Sequence, residues 1–228
     1  MHMNLRLWTI LVESFPQILL QGIKVTLPLT AVSFLFALII SIIVAMIQYA
    51  DIPVLKQLCR FYIWIIRGTP LLVQMYVVFY GLPSAGIYLK AWPAAIIVLS
   101  FNEGAYMAET VRGALESVSV GQVEAGQCVG LSYLQIMWYI VLPQAFKVAF
   151  PSLSNSLIGL LKETSLATTI TITEMIRQAQ IINSRVYETL ALYCEVALIY
   201  LAFCIILTWI QRAAEKRLGR VGGRDTDD

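Results

Sequence analysis

The feature that most constrains this chain is a long run without a charged side chain, from Val25 to Ala50. An α-helix rises 1.5 Å per residue, so this run measures about 39 Å as a helix. The hydrocarbon core of a bilayer is about 30 Å thick, and the run can therefore cross it with some tilt. Of the 228 residues, 59% are hydrophobic and 13% are charged, whereas soluble domains carry about 25% charged residues. We therefore predict an all-α integral membrane protein, with residues 1–228 forming a single domain.

Four further apolar stretches bring the prediction to about five transmembrane helices. The second span begins before Pro70 and ends near Gly81, and the third covers residues 92–112. The fourth covers residues 143–161, and the fifth covers residues 190–211. The second half of the third span contains carboxylates, which must face protein or water because lipid cannot solvate them.

The lysine and arginine residues of the connecting segments predict the orientation, because such residues are enriched on the cytoplasmic side. Residues 113–139 are too polar to span, residues 164–188 predict a short helix and loops, and residues 212–228 predict a solvated tail. The side that holds segment 113–139 and the tail carries Lys56, Arg60, Arg67, Arg112, Lys147, Arg212, Lys216, Arg217, Arg220 and Arg224. The opposite side carries only Arg6, Lys24, Lys90, Arg177 and Arg185. We therefore predict a cytoplasmic C-terminus and an N-terminus outside.

Metal and nucleophilic chemistry find no support in the sequence. The four cysteines show no Cys-x-x-Cys pairing, and the single histidine is His2. A zinc site or a Cys/His catalytic pair is therefore not expected. None of the 13 glycines is followed by lysine, so the end of a Walker A phosphate-binding loop is missing. No cofactor, no catalytic residue and no nucleic-acid partner are predicted.

A motif in the predicted cytoplasmic segment points to a family. Residues 123–130 read Val-Glu-Ala-Gly-Gln-Cys-Val-Gly, and residues 140–143 read Ile-Val-Leu-Pro. This resembles the EAA loop of binding-protein-dependent ABC importer permeases, with Gly126 in place of the usual second alanine. The predicted coupling loop covers about residues 113–140. In it we expect Glu124 in the first turn of a short helix and Gly130 at a sharp turn.

The resemblance implies the architecture and the partners. It implies a type I ABC importer permease fold in the bacterial cytoplasmic (inner) membrane, in a protein that is not itself an enzyme. ATP would be split by a separate ATP-binding cassette ATPase, which would contact Glu124, Ala125, Gly126 and Gly130. The other implied partners are a periplasmic or lipid-anchored amino-acid-binding protein and a second permease subunit, identical or homologous.

Several further segments narrow the resemblance to permeases for polar amino acids. They are residues 67–74 (Arg-Gly-Thr-Pro-Leu-Leu-Val-Gln), residues 102–109, residues 142–145 (Leu-Pro-Gln-Ala), residues 153–156 and residues 162–166 (Lys-Glu-Thr-Ser-Leu). Residues 162–166 and 177–180 are most similar to permeases of the cystine type. Cystine or a related amino acid is the favoured substrate, and basic amino acids or opines are the alternative.

Carboxylates inside predicted spans are candidates for substrate contact, because they are costly in a bilayer unless paired or wet. Glu109 and Glu163 could neutralise the ammonium group of an amino acid, although Glu109 could instead pair with Arg112 on the same helix face. Glu103 could favour a cationic substrate, but we prefer that it lines an aqueous cavity. Neutral hydrogen bonds to substrate are expected from Asn102, Tyr106, Thr164 and Ser165.

Two other classes of membrane protein fit less well. Ion-coupled secondary transporters tend to contain inverted repeats and broken helices in both halves, which the unequal spans do not show. A channel would need a selectivity filter, and no such sequence is evident.

Overall fold

The structure is a computed structural model that describes residues 2–220, and the side chains of residues 6–218. This part of the chain is helical and contains no strand. The ten α-helices are α1 (His2–Gln21), α2 (Leu27–Tyr49), α3 (Pro53–Gly68), α4 (Leu71–Tyr76), α5 (Ala91–Glu116), α6 (Val120–Cys128), α7 (Tyr133–Ile136), α8 (Leu142–Glu163), α9 (Met175–Val186) and α10 (Thr189–Arg220). Shorter π-helical turns lie at Gly22–Thr26, Val77–Gly81 and Met137–Val141, and 3₁₀ turns at Leu82–Ala85 and Thr164–Ile170.

The first predicted span is part of a much longer helical stretch. Apolar helical structure runs over 44 residues, Arg6–Tyr49, which is about 66 Å at 1.5 Å per residue. The π-helical turn that joins α1 to α2 begins at Gly22, where a Cβ would lie 2.7 Å from both Met175 Sδ and a Phe203 ring carbon. A larger residue would therefore push α1 away from α9 and α10, against which α1 packs.

The second predicted span is broken between α3 and α4, whose axes differ by 103°. Thr69 is extended, with φ −123° and ψ 142°, as expected for a residue that precedes a proline. Pro70 has no N–H and so cannot bond the Ile66 carbonyl, its partner four residues back in the helix. Gln74 Nε2 replaces that donor, at 2.8 Å from Ile66 O, and also lies 3.1 Å from Thr69 O.

Helix α5 is the centre of the bundle. It packs against α2 most extensively and also against α8, α3 and α4. Gly104 permits the close approach to α2, because a Cβ there would lie 3.0 Å from the Ile40 side chain. Asn102 and Glu103 are buried in this helix, which explains how a polar sequence is accommodated at the level of the membrane.

Three stretches of the described chain are long and apolar enough to span a membrane: residues 6–49, 133–170 and 189–218. The bent pair of α3 and α4 would be a fourth if it forms one span. Helix α5 is not among them, although its 26 residues occupy the predicted third span. The total of five spans and the orientation therefore stay predictions. Large exposed apolar side chains cover the outer surfaces of α2 and α10, as lipid contact requires, among them Leu35, Phe36, Ile39, Ile43, Leu198, Leu201, Ile205 and Trp209.

The segment predicted to form the coupling loop is mostly helical. Helix α5 continues to Glu116, α6 follows, and Gly130 has a φ of +80° directly after α6. Ser132 and Gln135 form a capping box that starts α7, and helical structure then continues into α8. The fourth span therefore begins about ten residues before Pro143. Of the predicted tail, residues 212–220 extend α10, and residues 221–228 lie outside the described part of the chain.

The end of the molecule that is predicted to lie outside is held together by buried carboxylates. Glu174 is fully buried and caps α9, where it accepts hydrogen bonds from the Ile176 and Arg177 amides at 2.9 Å and from the Tyr200 hydroxyl at 3.0 Å. Ser14 Oγ donates to Glu195 Oε2 at 2.5 Å, which ties α1 to α10. These contacts fix α9 and α10 relative to α1.

The α3–α4 elbow yields a first prediction. Gln74→Leu keeps most of the side-chain volume but leaves the Ile66 carbonyl without a donor. We expect the free energy of unfolding to fall by about 1–3 kcal/mol, the usual cost of a buried polar group without a partner. Denaturant unfolding of the purified protein in detergent measures this, with Gln122→Leu on the exposed surface of α6 as the control. An equal loss in both variants would contradict the assignment.

Candidate functional site

Of the six residues predicted to contact substrate, Asn102, Tyr106 and Glu109 lie on α5. The other three lie at the end of α8 and in the turn that follows it. Asn102, Tyr106 and Glu109 follow one another at spacings of four and three, so they share a helix face. That face meets α3 and α4: Asn102 Nδ2 donates to Gln74 Oε1 at 3.0 Å, and the Arg67 guanidinium lies 5.2 Å from the centre of the Tyr106 ring. Asn102 is 5% exposed and Tyr106 is 43% exposed.

Glu103 points away from that face, toward α8. It is 7% exposed, lies within hydrogen-bonding reach of Ser156, and is close enough to Glu163 for the two charges to interact. Glu163 ends α8, and its Oε2 is buried without a hydrogen-bond partner among the described residues. Glu103 therefore lies beside Ser156 and within electrostatic range of Glu163, and the two carboxyl groups are called the acidic group below.

Thr164 and Ser165 follow Glu163 in a 3₁₀ turn. Thr164 is fully buried, and its hydroxyl donates to the Leu161 carbonyl at 2.7 Å. Tyr200 also lies within hydrogen-bonding reach of Thr164, which connects this turn to Glu174. Ser165 is half-buried. The hydroxyl of Thr164 is thus already used within the protein.

Glu109 is paired with Arg112, the alternative that the sequence left open. Arg112 Nη2 lies 3.1 Å from Glu109 Oε2, and Arg112 Nη1 lies 2.8 Å from Glu116 Oε1. The pair lines a cavity of about 310 Å³ at the junction of α2, α3 and α5. Glu109 therefore lies apart from Glu103 and Glu163.

The predicted ATPase-contacting residues lie on and after α6. Glu124 and Ala125 are exposed, whereas Gly126 is buried. A Cβ on Gly126 would lie 3.0 Å from Ile136 and from Ile140, so this glycine lets α6 pack on the start of the next helical stretch. Gly130, with its positive φ, supports the expected sharp turn. The prediction that Glu124 lies in the first turn is wrong: α6 begins at Val120, and Glu124 is in the second turn.

Four residues with notable buried contacts escaped the sequence analysis. Gln74 belongs to a motif that was noticed, but its partner Asn102 is 28 positions away in the chain. Glu174 and Tyr200 are likewise joined only by the fold. Glu195 carried a usable signal, since it is a carboxylate inside the fifth predicted span, and it is indeed buried against Ser14.

Most of this chain is similar to known transport proteins. A family model described as "Binding-protein-dependent transport system inner membrane component" matches residues 37–220. The L-cystine transport system permease protein TcyB of Bacillus subtilis (strain 168) is 41% identical over 214 residues, which cover 93% of this chain and 92% of that protein. The arginine transport system permease protein ArtQ of the same organism is 34% identical over 208 residues, 90% of this chain and 95% of that protein. A crystal structure of an amino acid ABC transporter with histidines superposes with a TM-score of 0.84 at 31% identity, covering 90% of this chain and 96% of that chain.

The packing of Gly126 yields a second prediction. Gly126→Ala needs the Ile136 and Ile140 side chains to move by only a few tenths of an ångström, so we expect α6 to stay in place. Gly126→Leu overfills the contact, and such overpacking typically costs 1–3 kcal/mol, so we expect faster limited proteolysis within residues 119–132. Gly121→Leu is the matched control, because a Cβ there meets only Ser119 Oγ, at 3.7 Å. Equal protection of Gly126→Leu and wild type would contradict the packing.

Proposed function

Since the chain belongs to the family of binding-protein-dependent transport system inner membrane components, we propose that it is the subunit through which an ABC importer takes up polar amino acids, with cystine or a related amino acid favoured. Proteins of this family are bacterial inner-membrane permeases, and ATP is hydrolysed by a separate ATPase subunit. The observation that carries the proposal is the 41% identity to a cystine permease over 93% of the chain. The 31% identity to the solved amino acid ABC transporter supports the same substrate class.

The ATPase is proposed to bind at α6. Glu124 and Ala125 form an exposed surface, and Gly126 anchors the opposite side of α6 to Ile136 and Ile140. A helix that is held on one side and free on the other can transmit a push from a partner into α8, with which residues 133–141 are continuous. Gly130 directs the chain back toward the membrane between these two elements.

The substrate path is proposed to pass the acidic group formed by Glu103 and Glu163. An amino acid brings an ammonium group, and a carboxylate that keeps one buried oxygen without a hydrogen bond, as Glu163 does among the described residues, is suited to receive it. Asn102, Tyr106 and Ser165 would contribute neutral contacts. Thr164 would act mainly through the shape of the turn, because its hydroxyl is bonded to Leu161. Glu109 is the weakest member of the predicted set, since Arg112 neutralises it.

The remaining partners follow from the family. An external amino-acid-binding protein would deliver the substrate to the side that holds α9, and a second permease copy or homologue would complete the path. ATP binding would close two ATPases, and the α6 helices would carry that motion to the spans. Nucleotide and binding protein would then bias the same two-state equilibrium between outward-open and inward-open forms.

A third prediction tests the function. ATPase activity of the purified permease–ATPase complex in lipid, with the binding protein and a panel of amino acids, should rise with cystine. Glu124→Arg should remove at least about nine-tenths of this stimulation, because it reverses an exposed charge in the proposed ATPase contact. Glu13→Arg, an equally exposed reversal on α1, should leave it unchanged. If no amino acid stimulates the ATPase activity of the wild-type complex, the proposal is wrong.

Basic amino acids are the second candidate, because Glu103 adds a second buried carboxyl group within electrostatic range of Glu163. A fourth prediction separates the two substrates. Glu103→Gln should change the half-saturating concentration for cystine by less than about twofold. If arginine is the substrate, losing a charged partner worth about 1.5–3 kcal/mol should raise that concentration more than about tenfold. A tenfold rise for cystine would mean that Glu103 contacts substrate rather than lining a cavity.

A further inference from the structure

The polar cavity lined by Glu109 and Arg112 lies at the end of the bundle that is predicted to be cytoplasmic, apart from Glu103 and Glu163. It has a volume of about 310 Å³ and is enclosed by the end of α2, the start of α3 and the end of α5. Its lining residues are Gln48, Lys56, Arg60, Ile63, Trp64, Glu109, Arg112 and Glu116. Three of these are cationic and two are anionic, so the lining as a whole is positive.

The two carboxylates of the cavity lining already have a cationic partner. Both carboxylates bond Arg112, Glu109 at 3.1 Å and Glu116 at 2.8 Å. Lys56 pairs with Asp51, whose carboxyl is 75% exposed and lies outside the lining. The ion pair holds the pKa of Asp51 below its usual value. Arg60 makes no ion pair among the described residues, which leaves a cation available to a ligand.

Gln48 supplies a hydrogen-bond donor inside the cavity. It is 7% exposed, and its Nε2 is buried without a hydrogen-bond partner in the described part of the chain. Gln48 lies within electrostatic reach of Glu109, but Nε2 makes no hydrogen bond to that carboxylate, whose two oxygens bond Arg112. A buried amide without a partner costs about 1–3 kcal/mol. An acceptor atom bound in the cavity would recover this energy.

One flank of the cavity carries large exposed apolar side chains. Leu58, Phe61 and Trp64 on α3 are 59%, 58% and 71% exposed. Trp64 belongs both to this apolar surface and to the cavity lining. Tryptophan concentrates at the level of lipid headgroups, and basic pockets between helices on the cytoplasmic side bind anionic headgroups. The cavity is therefore placed where a headgroup can enter it.

We propose that this cavity binds the phosphate group of an anionic phospholipid. Arg60 supplies the charge, and Gln48 Nε2 donates a hydrogen bond to a phosphate oxygen, while Lys56 lines the cavity as the partner of Asp51. The acyl chains lie along Leu58 and Phe61. A lipid held there ties α2, α3 and α5 together close to the pair of Glu109 and Arg112.

The experiment uses the purified permease–ATPase complex and phosphatidylglycerol as the probe. The complex is exposed to vesicles of phosphatidylcholine with one-fifth phosphatidylglycerol, and retained lipid is counted by native mass spectrometry. Arg60→Gln should lower phosphatidylglycerol retention about fivefold, since each basic residue near the surface contributes about 1 kcal/mol. Lys147→Gln, an exposed lysine on the same predicted side, should leave retention unchanged. Equal losses in the two variants would overturn the site.

Gln48→Leu separates lipid binding from a structural role. Because Nε2 of this amide makes no hydrogen bond to the described residues, its removal should lower phosphatidylglycerol retention without lowering the thermal midpoint in pure phosphatidylcholine. A lower midpoint with unchanged retention would contradict the proposal. Inorganic phosphate and glycerol phosphate distinguish the source of the ligand. If either displaces the lipid at millimolar concentration, the cavity binds a soluble anion and the lipid assignment is wrong.

Discussion

The close packing of α2 against α5 is the contact on which the rest of the molecule depends. Gly104 brings the two backbones together at Ile40, and buried Ala37, Ala45, Ala105 and Ala108 extend the small-residue contact. In a bilayer, helices gain nothing from leaving water, so association relies on dispersion between surfaces that fit closely. With one face covered by α2 and others by α8, α3 and α4, α5 can carry Asn102 and Glu103 away from lipid.

Each interruption of the helices is matched by a replacement for the lost hydrogen bond or for the lost space. At the α3–α4 elbow, Pro70 removes a donor and the Gln74 amide takes its place. At the joint between α1 and α2, the missing side chain of Gly22 makes room for Met175 and Phe203. These devices are necessary because backbone groups at membrane depth find no water to bond. At the 103° bend, the Gln74 amide thus provides a donor for the Ile66 and Thr69 carbonyls.

The sequence was sufficient for the features that depend on local composition. The uncharged run before Ala50 and a short helix within residues 164–188 both appear in the structure. The sequence was insufficient where a helix is not strongly apolar. Helix α1 extends the helical structure by twenty residues on the N-terminal side of α2. Arg6 and Glu13 lower the hydropathy of α1, but its packing on α9 and α10 stabilises it. Glu124 was placed one turn too early because α6 begins at Val120, and no motif residue marks that start.

In the candidate site, too, the local sequence predicted which residues are polar but not which partners the fold places beside them. Adjacent residues on a helix differ by about 100° in direction, so Asn102 and Glu103 face different neighbours: Asn102 contacts Gln74 on α4, and Glu103 lies toward α8. The carboxylates then differ by what faces them. Glu109 meets Arg112 one turn away and is neutralised, Glu174 meets two amides and a hydroxyl, and Glu163 keeps one oxygen without a partner. A protein that must release what it binds needs such an unfilled acceptor in its path, because a carboxylate already satisfied by its own chain has little left to offer a passing ammonium group.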